Sequence, residues 1–350
     1  MDAPLPITLL TGFLGSGKTT VLNHLVRTLP RTAILMNEFG EVALDHQLLE
    51  KMDGPMALLS GGCVCCTISG SLSPTLKNLW MARQKGDIPP FERAIIETTG
   101  IADPTPVLDN LLNDAWVRAR YRLDGVVTTV DALFGMDQLD AHVEAVKQVA
   151  VADKILLTKS DLAPAETVTA LRARLAGLNP AADIVTVTHG ELDPAQIQNL
   201  GLWNAATQTS EVARWMKTAR YRPAQASALG GAAVTSPDAH DSRIRAFSVV
   251  LDTPLDRYGL HAALSMLTSF RADNLLRFKA IVNLQGESQP VVLHGVQHVL
   301  YPEVKLEAWP DDDQRSRFVF IVRDLEPAFV EKLLADFSGA ASHASPTSSS

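Results

Sequence analysis

The chain has 350 residues, 46% of them apolar, with a formal net charge of −8 and three cysteines. That length is enough for two domains with substantial cores, and the acidic balance without a Lys/Arg cluster argues against a nucleic-acid binder. No apolar run reaches the roughly 18–20 residues of a membrane helix, Met1-Asp-Ala-Pro-Leu-Pro6 lacks the basic start and apolar core of a signal peptide, and a cytoplasmic protein is expected.

In chain order, the first predicted strand is Ile7–Leu10. It runs into Gly12-Phe-Leu-Gly-Ser-Gly-Lys-Thr19, a complete Gly-x-x-x-x-Gly-Lys-Thr phosphate-binding loop, and then into Val21-Leu-Asn-His-Leu-Val26, which has helical periodicity. Strand, glycine loop and helix form the context that gives this motif its meaning. Gly12, Gly15 and Gly17 allow backbone N–H groups to converge on a phosphate, and the helix adds the positive end of its dipole. Lys18 carries the charge that meets the β- and γ-phosphates, and the Thr19 hydroxyl suits Mg²⁺.

A second strand, Thr32–Met36, leads into the polar segment Asn37–Asp45, where Glu38, Glu41 and Asp45 are candidate ligands or contacts to Mg²⁺ and water. All three cysteines follow within four positions, Cys63, Cys65 and Cys66, after Gly61-Gly62. The paired glycines predict a hinged segment that folds the thiols toward one point. Thiolates are soft ligands suited to zinc, Cu(I) or Fe–S, and three of them leave a tetrahedral zinc one ligand short. A redox thiol set and buried packing are the alternatives.

A helix is predicted near 75–82 and a strand at Phe91–Ile96, which ends in Glu97-Thr-Thr-Gly100. Glu97 is placed to hold Mg²⁺, directly or through water, and Gly100 to sense the γ-phosphate through its N–H. A strand at 125–131, one helix over 137–151 and a strand at 154–158 follow. Thr158-Lys159-Ser160-Asp161 resembles the Asn-Lys-x-Asp base-reading motif, whose carboxylate accepts both N–H groups on the guanine edge. A helix at 164–177 and a strand ending in His189-Gly190 complete the alternation, with His189 most simply a loop residue. The alternation predicts an α/β, doubly wound, mostly parallel P-loop sheet over residues 1–218. Ala/Gly/Pro/Ser-rich residues 219–243 read as a linker. Residues 244–338 read as a smaller α+β domain with an antiparallel sheet, and 339–350 as a disordered tail.

Together, Gly12–Thr19, Asn37-Glu-Phe-Gly-Glu41, Gly62-Cys-Val-Cys-Cys-Thr67, Glu97–Gly100, Asp124-Gly-Val-Val127, Thr158–Asp161 and Thr188-His-Gly190 resemble the CobW-type metallochaperone GTPases. They are most similar to the YjiA-like branch, in which Thr-Lys-x-Asp is also seen. Leu276-Arg-Phe-Lys279, Gly295-Val-Gln297 and Phe318–Ile321 are similar to the family's C-terminal domain. The resemblance implies a GTPase that carries zinc, in some members cobalt, and hands it to a client metalloprotein as GTP is hydrolysed. It implies GTP or GDP and Mg²⁺ on Gly12, Gly15 to Thr20, Glu97 and Gly100. The base would be read by Thr158, Lys159 and Asp161, and the transferable metal held by Cys63, Cys65 and Cys66 with Glu41 a helper. Met36 stands where relatives often carry a carboxylate. No arginine finger or water-orienting Gln is identifiable, so slow basal turnover is expected. A cobalt-handling role in cobalamin or metalloenzyme maturation, a P-loop small-molecule kinase with structural cysteines, and a thiol redox sensor are the alternatives. A homo-oligomer stays open.

Overall fold

The computed structural model describes residues 3–36, 49–53, 56–59, 63–67, 71–200, 212, 244–271 and 273–337, with the backbone alone for 49–53, 56–59 and 63–67. The chain divides into two compact units, Met1–Glu211 and Val212–Ser350. The expected linker 219–243 and tail 339–350 lie outside the described residues.

The first unit is built on a nine-stranded sheet of order β3-β4-β5-β2-β6-β1-β7-β8-β9. Its strands are β1 (Leu5–Gly12), β2 (Thr32–Met36), β3 (Leu49–Asp53), β4 (Met56–Leu59), β5 (Cys63–Thr67), β6 (Arg93–Glu97), β7 (Tyr121–Asp131), β8 (Lys154–Thr158) and β9 (Asp183–Val187). From β5 to β9 across the sheet every neighbouring pair is parallel, and β4 and β3 continue it antiparallel. Parallel strands covered on both faces need near-continuous apolar sequence. Ile7, Leu9 and Leu10 in β1, Ala33 to Leu35 in β2 and Ile155 to Leu157 in β8 supply it, each almost wholly shielded from solvent.

Between the strands lie α1 (Lys18–Thr28), α2 (Leu72–Lys85), α3 (Thr105–Asn113), α4 (Ala115–Arg118), α5 (Gly135–Ala141), α6 (Val143–Ala150) and α7 (Ala165–Leu178). In α1, Val21, Leu22, Leu25 and Val26 recur on one face and are buried against Leu10, Ile34 and Val127 of the sheet. The single helix expected over 137–151 is two. His142 leaves the helical region at φ −130° and ψ 114°, ending α5 and starting α6, and its ring stacks on Phe13 with centroids 4.5 Å apart. The cysteine segment also differs from expectation. It is not a glycine-hinged loop but strand β5, because its backbone is hydrogen-bonded to a neighbour on each side, β2 in parallel and β4 antiparallel.

The second unit is a six-stranded antiparallel sheet, β10-β15-β11-β12-β13, with β14 on β12. Its strands are β10 (Ile244–Leu251), β11 (Leu275–Val282), β12 (Val291–Val296), β13 (Val299–Leu300), β14 (Val304–Lys305) and β15 (Ser316–Arg323). Phe278, Phe318 and Phe320 form the aromatic centre of a core that takes in Leu260, Leu264 and Leu267 of helix Arg257–Phe270 and Val330 and Leu334 of helix Pro327–Phe337.

Candidate functional site

All the parallel strands of the first unit end on one edge, and in open α/β sheets that edge is where ligands bind. β1 ends there in Gly12, β6 in Glu97, β7 in Asp131 and β8 in Thr158. The loop after β1 has the conformation its glycines permit. Gly12, Gly15 and Gly17 have φ of 144°, 71° and 89°, values strained for any residue with a Cβ. At Gly12 there is no room for one either, since it would lie 2.2 Å from Thr129 Oγ1. At Gly15 nothing lies within 4 Å of that position, so the crest of the loop faces open space. Gly17 caps α1, whose first turn holds no acidic residue, leaving its positive end unneutralised from within the helix.

Beneath the loop is a set of buried hydroxyls. Thr98 Oγ1 donates to Thr11 Oγ1 at 2.8 Å, and Thr129 Oγ1 donates to the Thr11 carbonyl at 3.3 Å. With that proton committed, Ser16 Oγ is the donor in its 2.6 Å contact with Thr129 Oγ1. Thr158 Oγ1 donates to the carbonyls of Ser16, at 2.8 Å, and Val130. Strands β6, β7 and β8 are thereby tied to the loop by short side chains with few rotamers. Lys18, only 7% exposed, extends back along the loop, where its Nζ donates to Gly12 O at 2.8 Å and Phe13 O at 3.2 Å. Thr19 is half-buried and Thr20 exposed on the first turn of α1. The Thr20 carbonyl packs against Gly190, where a Cβ would come within 2.7 Å of it.

The Thr158–Asp161 segment is draped over the same loop. Lys159, at φ 55°, donates through Nζ to Gly15 O at 2.8 Å and to Asp131 Oδ2 at 2.7 Å. The other oxygen of Asp131 accepts from the N–H groups of Leu133 and Phe134. Asp131 is almost fully buried, and sequence reasoning did not single it out. The available signal was an acid at the end of an apolar strand, the same signal that marked Glu97. Asp161 stands at the surface with its carboxylate 4.0 Å from His189 Nε2, and His189 is itself exposed in a turn. Ser160 Oγ is buried with no hydrogen-bond partner among the described residues.

Glu97 is 3% exposed, level with Leu10 on one side and Met36 on the other. Gly100 touches the crest of the glycine loop, where a Cβ would lie 2.8 Å from Leu14 N. Glu38, Glu41 and Asp45 lie outside the described residues. The backbone of Cys63, Cys65 and Cys66 is in β5, three places along the sheet from β1, roughly 14 Å at ordinary strand spacing. Thr67 is level with Met36, and Met36 with Glu97, so the cysteines approach the same edge as the glycine loop. Among the described residues no group of three or more His, Cys, Asp or Glu side chains could hold a metal ion.

Comparison with known proteins accounts for both units. Residues 6–186 match the family described as CobW/HypB/UreG, nucleotide-binding domain, and residues 244–338 match the cobalamin synthesis protein CobW C-terminal domain. The chain belongs to the CobW family. Over 340 residues it is 35% identical to the zinc chaperone YjiA of Escherichia coli K12, a match covering 96% of this chain and 98% of that one. It is 36% identical over 200 residues to the zinc-regulated GTPase metalloprotein activator 1 of Schizosaccharomyces pombe, covering 47% of that protein. The crystal structure of Zn(II)-bound YjiA GTPase from E. coli superimposes with a TM-score of 0.73 at 31% identity, covering 96% of this chain and 99% of that one. The CobW fold therefore extends through both units of the chain. No helix among the described residues is long and apolar enough to cross a membrane.

Proposed function

We propose that the chain is a GTP-hydrolysing metallochaperone that carries zinc on Cys63, Cys65 and Cys66 and passes it to a client metalloprotein. The observation that carries this reading is the common edge of one sheet. A complete phosphate cradle ends β1, and the strand bearing all three cysteines runs parallel toward that edge.

The cradle suits a nucleoside triphosphate. Its glycines are in conformations that turn backbone N–H groups inward, its crest is open, and the helix behind it presents an unneutralised positive end. Lys18 exchanges its two carbonyl contacts for phosphate oxygens and offsets the charge that grows on them as the bond to the leaving phosphate lengthens. Thr19 and Glu97 are the residues that would hold Mg²⁺, which when bound screens the phosphate charge. Gly100 presents its N–H to the γ-phosphate. Thr158 and Lys159 brace the base side of the loop, and Asp161 accepts from the guanine edge, which adenine cannot match.

The cargo ion is the second substrate. Three thiolates form a soft set that favours zinc, with Glu41 a helper at the open position. The cysteine strand β5 pairs with β2 and approaches the nucleotide edge, so nucleotide state and zinc affinity are coupled, and by linkage the coupling is reciprocal. Elemental analysis of purified protein with GDP and with a non-hydrolysable GTP analogue tests this. Zinc is expected at one ion per chain with a nucleotide-dependent affinity, and it should be lost in a Cys65→Ser variant. Unchanged zinc stoichiometry in Cys65→Ser, or equal affinity in both nucleotide states, would overturn it.

A further inference from the structure

Gln148 of α6 is fully buried and lies more than forty positions along the chain from the Glu97–Gly100 motif it contacts. Its Nε2 donates both protons to the segment after β6, one to Gly100 O at 3.1 Å and one to Ala102 O at 3.0 Å. Two carbonyl acceptors fix which end of the amide faces the segment, and the other end, Oε1, is buried with no partner among the described residues. An unmet buried acceptor of this kind costs about 1–3 kcal/mol. A leucine or methionine would remove that cost but would leave the Gly100 and Ala102 carbonyls without these donors, so what the amide contributes is its grip on those two carbonyls.

Its donors hold a stretch that touches the crest of the glycine loop, since Leu14 occupies the place where a Cβ of Gly100 would go. The neighbouring residue grips the same stretch: Lys147 Nζ donates to Asp103 Oδ2 at 2.9 Å. The helix itself is anchored, because Thr128 Oγ1 of β7 donates to Gln148 O at 2.8 Å. The preceding helix reaches the loop from the other side, with Gln138 Nε2 donating to Leu14 O at 3.3 Å and His142 stacked on Phe13. Phe13, Thr129, Gln138 and Gln148 line a small cleft between these contacts.

We infer that Gln148 is a positioning residue for GTP hydrolysis: its carboxamide fixes the 100–102 backbone so that Gly100 meets a γ-phosphate seated in the loop. This rests on the reading of Gly100 as the γ-phosphate contact. It requires Gln148 to matter for GTP and not for GDP, which has no γ-phosphate to meet. A purely structural side chain would affect both nucleotides alike.

The test titrates the full chain with fluorescent GDP and with a fluorescent non-hydrolysable GTP analogue in Mg²⁺, and measures single-turnover GTP hydrolysis. Gln148→Met keeps volume and removes both donors. It should weaken the analogue and slow hydrolysis by about tenfold, within the usual range of such couplings, while GDP affinity stays within about twofold. Equal weakening of both nucleotides, or no change in either, would overturn the inference. Gly100→Ala separates the two claims. If it leaves the ratio of GTP-analogue to GDP affinity unaltered, the Gly100 reading fails and this inference with it. If Gly100→Ala shifts the ratio and Gln148→Met does not, only the role of Gln148 falls. Should Gln148→Met not fold, Gln148→Asn serves the same comparison, because it keeps the amide but is one methylene too short to reach both carbonyls.

Discussion

Both units bury polar side chains, with Arg277, Lys279, Ser316 and Arg317 among them in the second, but they place them differently. In the first, Thr11, Ser16, Lys18, Glu97, Thr98, Thr129, Asp131, Gln148 and Thr158 are all buried, and those whose contacts are described meet at or beneath one loop at the sheet edge. In the second, the core around Phe278, Phe318 and Phe320 is apolar. Ion pairs lie around that core: Arg317 makes two contacts of 2.7 Å with Asp311, Lys305 meets Glu287, and Arg257, at the start of its helix, bridges Glu287 and Glu303. Burying hydroxyls and charges is costly unless each is matched. Concentrating them under a single loop is the mark of a surface organised for a ligand. The ionic network of the second unit has a visible effect on its members. The Lys305 and Arg257 contacts hold the Glu287 carboxyl below its usual range, and the Glu303 and Glu287 carboxylates raise the Arg257 guanidinium.

The contrast can be broken most forcefully in the second unit. Phe320→Ala leaves a cavity at the centre of the aromatic cluster and should cost about 3–5 kcal/mol of stability, read by urea denaturation, while GDP affinity stays at the wild-type value. A matching loss of GDP binding would show that the contrast does not hold. The next largest effect is expected in the first unit from Lys18→Ala. It should lower GTP turnover about 100- to 1,000-fold, the usual loss for one preorganised charge-stabilising donor, with little change in the denaturation midpoint. Single-turnover phosphate release measures the first and thermal melting the second.

Asp131→Asn is a smaller and sharper test. It leaves the Lys159 ammonium without its carboxylate partner while keeping a side chain of the same shape. Hydrogen bonds to charged groups contribute about 1.5–3 kcal/mol, so fluorescent-GDP affinity should fall by roughly tenfold or more. Unaltered affinity would mean that Lys159 is held by Gly15 O alone.

The smallest effect lies away from both sites, at the start of α4. Asp114 accepts from the Trp116 and Val117 N–H groups. The Val117 N–H above all, then the Ser73 hydroxyl, with Lys77 and the Trp116 N–H adding less, lower its carboxyl to about 2 from an ordinary 3.8. A carboxyl held lower in the folded state stabilises it at pH above 3.8 and loses that contribution as pH falls toward 2. Asp114→Ala should therefore cost about 1 kcal/mol at neutral pH, as for a lost helix cap. Its melting temperature should converge on that of the wild type between pH 4 and pH 2. A gap that persists at pH 2 would assign the loss to packing.

Much of this molecule was readable before any coordinates. The glycine loop, Glu97 and the Thr158–Asp161 segment were all found at the sheet edge where the alternation of elements had put them. The departures have physical causes. Gly61-Gly62 gives the backbone before Cys63–Thr67 freedom to fold, and the sequence shows no strand there, but partner strands on both sides draw it into the sheet. The break at His142 escaped notice because the apolar period runs through it, and the aromatic stack that accompanies it involves a residue over a hundred positions earlier.

Sequence by itself determined the phosphate cradle, because that site is made of consecutive backbone groups whose conformations follow from Gly12, Gly15 and Gly17. Tertiary structure alone decided which side chains support the cradle. Strand order sets β6 and β7 on either side of β1 and brings Thr98, Thr129 and Asp131 to its end. It also lays Gln148 against Gly100 and carries the cysteine strand to the same edge. These groups meet through hydrogen bonds between residues far apart in the chain, and no local pattern encodes such a pairing.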